Sequence, residues 1–252
     1  MKLPRRQFLH LAAGAAALSA TSCIASAQAY PTRPVRIIVG FAAGGLSDIL
    51  ARLLGQWLTE RLGQQFVVEN RAGAASNLAT ELVARAPSDG YTLLIFNSSA
   101  AINQALYGKL SFQFTRDISP IAAIISVPDV MVVNPSVLAH TVPEFIAYAR
   151  ANPRSLSMGS GGNGSPSHIY GELFKMLAGV DLVHVPYRGG APALTGLLGG
   201  YVQVIIGAVP ESIEYIRAGQ LRPLAVTTKG PRYTVPGIPP LSDFLPGYQT
   251  SG

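Results

Sequence analysis

Glycine and small polar residues collect where apolar strand patterns give way to helix patterns. Three long loops of this kind span residues 41–48, 159–168 and 187–192, and a shorter one spans residues 97–100. A helix start offers unpaired backbone N–H groups and about half a positive charge. Several such starts around one cleft could bind a carboxylate without any catalytic group, although a single loop is more typical of a plain turn.

Capping residues set the expected start of each helix. Ser47 is placed to cap the first helix, behind two glycines that let the backbone turn tightly. Ser165 is a natural cap with Pro166 at the first helical position, and Pro192 marks a third helix start. Because loops that follow parallel strands lie at the carboxyl edge of the sheet, we expect these helix starts to line one crevice.

The segment from Gly159 to Gly164 also matches the G-x-G-x-x-G pattern of dinucleotide-binding folds, with Asp181 about 20 residues further on. This pattern makes an exported NAD(P)-dependent oxidoreductase the alternative to a binding protein. Asp181 precedes the next predicted strand, however, whereas a ribose-binding acid belongs at the far end of that strand. A short glycine motif also arises easily by chance in a chain with 26 glycines.

Catalytic and metal-binding constellations are scarce in this sequence. His140, His168 and His184 are isolated, and the chain has neither a zinc-type spacing nor a nucleophile elbow. A neutral, hydrogen-bonding His168 suits the first turn of its helix, and plain packing suits it equally well. His184 fits a structural role on a strand. We therefore expect no enzyme, no catalytic residue, no metal and no cofactor.

Three further polar residues have two interpretations each. Asp48 fits a first-turn acid favoured by the helix dipole, or a group that holds water or a ligand amine. Arg188 could pair with a ligand carboxylate or be a solvated loop residue. Tyr187 could close over a ligand or simply pack. The sequence leaves these alternatives open.

Short apolar strand patterns alternate with helix patterns, which predicts an α/β fold with mostly parallel strands. The first strand is expected at residues 35–39, and a later helix at residues 166–178. Two β-rich runs, at residues 121–126 and 130–133, flank Pro128-Asp129. We place the crossing between two lobes there.

The first 29 residues have the layout of an export signal. Basic residues precede an Ala-rich apolar run that is too short to span a membrane, and Ala27-Gln28-Ala29 supplies a cleavage pattern. The Arg5-Arg6 pair fits twin-arginine export as well as the general secretory route. Removal of this leader halves the formal net charge of +6 and removes the single cysteine, Cys23. The scattered basic residues that remain argue against a nucleic-acid partner.

Eight short motifs, taken in order, resemble one family of bacterial receptors. They are Tyr30-Pro31, the loop at 41–48, Val68-Glu69-Asn70-Arg71-Ala72-Gly73-Ala74, Asp89-Gly90-Tyr91-Thr92-Leu93, the loop at 159–168, His184-Val185-Pro186-Tyr187-Arg188-Gly189, Leu197-Leu198-Gly199-Gly200 and Ala218-Gly219-Gln220-Leu221-Arg222. Through these motifs, residues 30–246 resemble the Bug (TctC-like) family, the receptors of tripartite tricarboxylate transporters.

The resemblance implies a periplasmic receptor with two α/β lobes, a type II-like flytrap that closes on a ligand carboxylate held by loop backbone groups and ordered waters. The ligands of the family include citrate-like acids, acidic amino acids and aromatic acids. We expect a monomer whose partners are this small carboxylate and membrane transporter subunits. By position, the ligand-binding residues would be Phe41, Ala43, Gly44, Gly45, Asp48, Asn97, Ser98, Ser160, Asn163, Ser165, His168, Tyr187 and Arg188.

The chain departs from the family pattern at three places. Gln203 and Gly207 stand where members commonly have acids, and Ser99-Ala100 stands where they have a Thr-His pair. The loss of these polar groups favours a less polar or larger acid as ligand. The chain also ends at Gly252, before a stretch that completes the first lobe in the family. We therefore expect a first lobe that is apparently truncated, made of residues 30–126 and 223–252, and a second lobe made of residues 127–222.

Overall fold

The computed structural model describes residues 29–228 and 237–250, and the statements below apply to them. The chain divides into the units Met1–Thr32 and Arg33–Gly252, and every helix and strand named below lies in the second unit. The predicted export signal lies almost wholly outside the described residues. Within the second unit, two β-sheets and their helices form two lobes.

The first lobe is built on a parallel three-stranded sheet. Strand β1 (Val35–Val39) lies between β2 (Phe66–Asn70) and β3 (Thr92–Ile95). Four of the five side chains of β1 are buried, as expected for a central strand covered on both faces. The helices of this lobe are α1 (Leu46–Leu62), α2 (Asn77–Ala84), α3 (Ser99–Leu106) and the short α4 (Phe114–Asp117).

The second lobe is built on a mixed five-stranded sheet in the order β6-β5-β7-β4-β8. Its strands are β4 (Asp129–Val133), β5 (Ser157–Ser160), β6 (Val183–Pro186), β7 (Val204–Ala208) and β8 (Arg222–Val226). Strand β5 runs parallel to β6 and β7, whereas β4 is antiparallel to β7 and β8. The helices are α5 (Val142–Ala151), α6 (Pro166–Ala178), α7 (Gly190–Leu198) and α8 (Val209–Arg217).

Apolar side chains pack on both faces of the second sheet. One face buries Phe145 and Phe174, together with Leu241 and Tyr248 from the last described segment. The other face buries side chains of α7 and of strands β4 and β7. The first lobe has a smaller core, formed by α1 and its three strands. Among the described helices, none is long and apolar enough to cross a membrane.

The alternation of strands and helices confirms the predicted α/β class, and β1 and α6 span the predicted residues. Two expectations are wrong. Residues 121–126 form no strand, because none of the described strands pairs with them, and Ile121 is 82% exposed. The described part of residues 223–252 belongs to the second lobe, because β8 pairs with β4 and Leu224 and Leu241 are buried in the second core.

Candidate functional site

A cavity of about 420 Å³ lies between the two lobes. The start of α1 lines it from the first lobe, and the starts of α6, α7 and α8 line it from the second lobe. Most of the lining is apolar and includes Leu50, Phe96, Ile124 and Leu194. Its side chains with a polar group are Ser47, Asn97, Ser98, Asp129, Ser165, Ser167, Glu211 and Ser212.

The loop that follows β1 is held by a buried carboxylate. The loop turns at Gly44, whose φ is 83°, and Asp48 accepts a hydrogen bond from the Gly44 N–H at 2.9 Å. Arg52 and Asn70 also donate to the Asp48 carboxylate. Burial raises the pKa of Asp48, but the hydrogen bonds from Arg52, Gly44 and Asn70 outweigh burial and hold that pKa below 3.8. Asp48 therefore shapes the loop and is not among the residues that line the cavity.

The prediction that Ser47 caps this helix is wrong. Gly45 occupies the cap position in an extended conformation, without a side-chain cap, so the helix begins at Leu46 and Ser47 is its second residue. Ser47 lines the large cavity instead. The first two residues of α1, Leu46 and Ser47, thus line the cleft, and the Leu46 N–H is bound by the Glu211 carboxylate.

The loop that follows β5 is supported by two stacked histidine rings. Ser165 caps α6 as predicted, because its hydroxyl accepts a hydrogen bond from the His168 N–H at 3.3 Å. The Nδ1 atom of His168 accepts a hydrogen bond from the Gly164 N–H at 3.2 Å. The ring of His168 stacks on His184 with centroids 4.2 Å apart, and His184 Nε2 lies 2.6 Å from Ser160 Oγ.

Both of these histidines are neutral near pH 7. Burial lowers the pKa of His168, and burial together with the neighbouring His168 lowers the pKa of His184 to about 4. A neutral His168 agrees with its role as an acceptor at Nδ1. The two rings therefore support the conformation of the glycine loop.

The loop that follows β6 touches the first lobe directly. The Ala42 N–H donates to the carbonyl oxygen of Arg188 at 2.9 Å. Gly189 lies so close that a Cβ at this position would be 3.0 Å from the Ala42 nitrogen. Farther along the cleft, the Tyr107 hydroxyl donates to the carbonyl oxygen of Asn163 at 3.0 Å. The three long glycine loops thus meet at one cleft.

A smaller cavity of about 200 Å³ lies next to these contacts, between residues 73–75, 161–163 and 186–188. Its wall contains a strained turn, in which Ala74, Ala75 and Ser76 have φ values of 47°, 47° and 76°. Side chains with a Cβ rarely adopt this left-handed conformation. Gly40 faces the same turn, and a Cβ there would overlap the Ser76 side chain.

The predicted ligand-binding residues fall into three groups. Those that line the large cavity are Phe41, Gly45, Asn97, Ser98 and Ser165. Those that line the small cavity are Phe41, Asn163, Tyr187 and Arg188. Those outside both linings are Ala43, Gly44, Asp48, Ser160 and His168. Most of them belong to loops that meet at the cleft, whereas Asp48, Ser160 and His168 lie near the ends of α1, β5 and α6, and the contact of all of them with a ligand stays a prediction.

Sequence reasoning missed two acids in the large cavity, Asp129 and Glu211. Burial, together with the charge of Glu211, raises the pKa of Asp129 to about 7. Burial also raises the pKa of Glu211, against the effect of its hydrogen bond from Leu46. The sequence did contain one indication of a special role for Asp129, because Asp129 is the only Asp, Glu, Lys or Arg between Asp117 and Glu144.

Comparison with known proteins identifies the family. Residues 50–250 match the TctC family, described as the tripartite tricarboxylate transporter family receptor. Protein BugT of Bordetella pertussis is 37% identical over 221 residues, which are 87% of this chain and 68% of BugT. The chain belongs to the TctC receptor family.

Solved structures agree with this assignment to the TctC family. The protein Rpa4515 of R. palustris, solved with adipate, has a TM-score of 0.84 and 39% identity, and the match covers 88% of this chain and 75% of that protein. MatC from Rhodopseudomonas palustris, solved with bound malate, has a TM-score of 0.82 and 30% identity over 88% and 76% of the two chains. The periplasmic binding protein BugD matches with a TM-score of 0.84 and 31% identity.

These matches confirm the expected fold of a two-lobed periplasmic binding protein, and the TctC family is one of solute receptors. The dinucleotide-binding alternative receives no support. A Cβ at Gly164 would overlap Asn103 Oδ1, and a Cβ at Gly162 would lie 3.1 Å from the carbonyl oxygen of Tyr187. Gly162 thus allows close packing within the second lobe, and Gly164 allows close packing against Asn103 of the first lobe. Asp181 is exposed and lies 3.8 Å from Arg154, before β6 begins.

Proposed function

We propose that this protein is an extracytoplasmic receptor that binds a small organic carboxylate between its two lobes and delivers it to the subunits of a membrane transporter. The observation that carries the proposal is the meeting of glycine-lined helix starts from both lobes at one cavity. The N–H groups at helix starts favour a negatively charged guest. Membership of a receptor family agrees with this geometry.

The cavity favours a carboxylate with an apolar body. Its lining is mostly apolar, and Phe96, Ile124 and Leu194 would pack against carbon atoms of a ligand. Two relatives were solved with dicarboxylates, Rpa4515 with adipate and MatC with malate. The direct contacts would come from the cavity-lining residues Phe41, Gly45, Asn97, Ser98 and Ser165. The remaining predicted residues would hold the loops in position.

The proposed setting is the periplasm, reached through the N-terminal export signal by either of the two export routes. The protein would act as a monomer without catalytic activity, since the proposed site is built mainly from backbone groups, hydroxyl groups and apolar side chains. Its partners would be the carboxylate and the membrane subunits of a tripartite tricarboxylate-type transporter.

The test is a thermal-shift screen of the purified protein against monocarboxylates, dicarboxylates and amino-substituted carboxylates of three to six carbons, followed by calorimetry on each acid that raises the melting temperature. A ligand present at about 100 times its Kd stabilises the folded state by about 2.7 kcal/mol. We expect at least one acid to produce such a shift. A folded protein that shows no shift with any acid would refute the proposal.

A matched pair of variants locates the binding site. Ala123 is exposed and lines the cavity, so Ala123→Trp would fill part of the cavity without disturbing the core. Ala105 is exposed on α3, outside the lining, and Ala105→Trp serves as the control. We expect Ala123→Trp to abolish the shift and Ala105→Trp to retain it. Equal shifts in the two variants would place the ligand elsewhere.

A further inference from the structure

The charged groups that line the large cavity are all acidic. Asp129 and Glu211 contribute carboxyl groups, and the lining contains no Lys, Arg or His among the described residues. Elsewhere in the described chain, most carboxylates have an arginine or lysine partner, as Glu69 does with Arg36. A pair of acids without a cation is therefore a distinctive feature of a cleft that is otherwise suited to anions.

The side chain of Asp129 has no hydrogen-bond partner among the described residues, although the residue is only 6% exposed. Both backbone polar groups of Asp129 are hydrogen-bonded to Thr227. The Asp129 N–H donates to the Thr227 hydroxyl at 3.2 Å, and the Asp129 carbonyl oxygen accepts from the Thr227 N–H at 2.9 Å. The backbone pairing fixes Asp129 at the start of β4 while its carboxyl group lines the cavity. A buried carboxyl group of this kind requires a donor or a proton.

Glu211 links the two lobes at the same place. Its Oε1 atom accepts a hydrogen bond from the Leu46 N–H at 2.7 Å, so a side chain of α8 reaches the start of α1 in the first lobe. A Cβ at Gly190 would overlap the Glu211 carboxylate, which therefore also lies against the start of α7. In β4 and β7 the register pairs Asp129 with Ala208, three residues before Glu211. This pairing brings the two acids together.

We propose that Asp129 and Glu211 form a subsite for a positively charged group of the ligand, so that the cleft selects a carboxylate that carries an ammonium group over a dicarboxylate. This inference rests on the proposed function, and it names the substrate class. A second carboxylate at this position would add a third acid to two that already repel each other, whereas an ammonium group would stabilise the charged forms of both acids and would donate to the Asp129 carboxyl group, which has no donor of its own.

An ammonium group fits these surroundings better than a metal ion does. In the described part of the chain, no group of three His, Cys, Asp or Glu residues could hold a metal. The groups that face Asp129 are Glu211 from α8, Tyr170 from α6 and Tyr248 from the last described segment. None of these three carries a positive charge. A cation beside Asp129 would therefore come with the ligand rather than from these neighbouring groups.

Matched ligands of equal length test the inference by calorimetry on the purified protein. Three sets are used: 4-aminobutanoate with butanoate and succinate, 5-aminopentanoate with pentanoate and glutarate, and 6-aminohexanoate with hexanoate and adipate. The α-amino acids of the same lengths extend the panel to an ammonium group beside the carboxylate. We expect the tightest binder to carry an ammonium group and to bind at least about tenfold more tightly than the matched dicarboxylate.

Charge-removing variants then assign the preference to the two acids. Asp129→Asn and Glu211→Gln keep the shape, and Glu211→Gln retains an acceptor for Leu46. Glu214→Gln on the same helix is the control, because Glu214 is 73% exposed and pairs with Arg217. We expect the first two variants to reduce the preference for the ammonium ligand by about tenfold and the control to keep it.

The outcomes separate this inference from the proposed function. If a dicarboxylate binds most tightly, or if the ammonium preference survives both Asp129→Asn and Glu211→Gln, the subsite is refuted while the receptor remains a carboxylate binder. If no acid of any class binds to the folded protein, the proposed function itself fails, and the subsite fails with it.

Discussion

The two lobes differ in how completely their helices are covered. In the second lobe, Phe174 of α6 is 1% exposed and packs on Phe145 with ring centroids 5.9 Å apart. In the first lobe, α1 exposes Ile49, Leu53 and Trp57 by 46%, 62% and 52%. These three residues follow one another at four-residue spacing, which the sequence alone would assign to a buried face. The apolar pattern of a helix therefore predicts the helix, but not what covers it.

The largest effect is expected in the covered lobe. Phe174→Ala should lower the free energy of unfolding by about 3–5 kcal/mol, because it removes a fully buried ring and leaves a cavity. Urea denaturation followed by circular dichroism gives the value. A loss below about 1 kcal/mol would mean that the second core is much looser than the structure indicates.

The acids of the cleft should make stability depend on pH. Burial raises the pKa of Asp129 to about 7 from 3.8, so its contribution to the folded state is complete below pH 4 and is lost as the pH rises through 7. Relative to Asp129→Asn, the natural protein should lose roughly 3 kcal/mol between pH 4 and pH 8. Denaturation of both proteins at several pH values measures this difference, and parallel pH curves would contradict the burial of Asp129.

Replacement of a glycine by alanine should destabilise the protein more at a contact between the lobes than at an exposed turn. Gly164 has a φ of 88°, and its added Cβ would overlap the buried side chain of Asn103 in the first lobe. Gly219 has a φ of 69° with nothing within 4 Å of an added Cβ. We expect Gly164→Ala to cost about 2–3 kcal/mol and Gly219→Ala about 1 kcal/mol. Similar losses in the two variants would show that Gly164 does not touch the first lobe.

The smallest effect is expected on the exposed face of α1. Trp57→Ala should change the free energy of unfolding by less than about 0.5 kcal/mol, because the ring is half exposed and lies near Arg61 at the surface. The same denaturation experiment that measures Phe174→Ala gives this value. A loss of several kcal/mol would mean that this face is buried against something in solution.

Local rules predicted much of the fold. The boundaries of β1 and α6 follow from their apolar periods and, for α6, from the Ser165-Pro166 cap, and they agree with the structure. Two assignments failed because they depend on distant pairing. Residues 121–126 are of strand-forming types but pair with no strand in the described chain. Residues 222–226 pair with β4, which places them in the second lobe and not in the first.

The candidate site was predictable only in part, for a similar reason. Glycine loops after strands could be placed at one crevice by the topology of α/β sheets. The acidic pair of Asp129 and Glu211 could not be predicted in this way. The two residues are 82 positions apart in the sequence, and Glu211 also accepts a hydrogen bond from the Leu46 N–H of the other lobe. The predicted capping role of Ser47 was also wrong, because Gly45 occupies the cap position and the helix begins without a side-chain cap.

Hydrogen–deuterium exchange with and without a bound carboxylate from the thermal-shift screen tests the central claim most directly. Backbone N–H groups from both lobes would hold the ligand, so the ligand should slow exchange in all three of residues 42–49, 161–168 and 189–193. The exchange rate on the exposed face of α5 should not change. Protection confined to one lobe, or protection that leaves these three segments unaffected, would contradict the account.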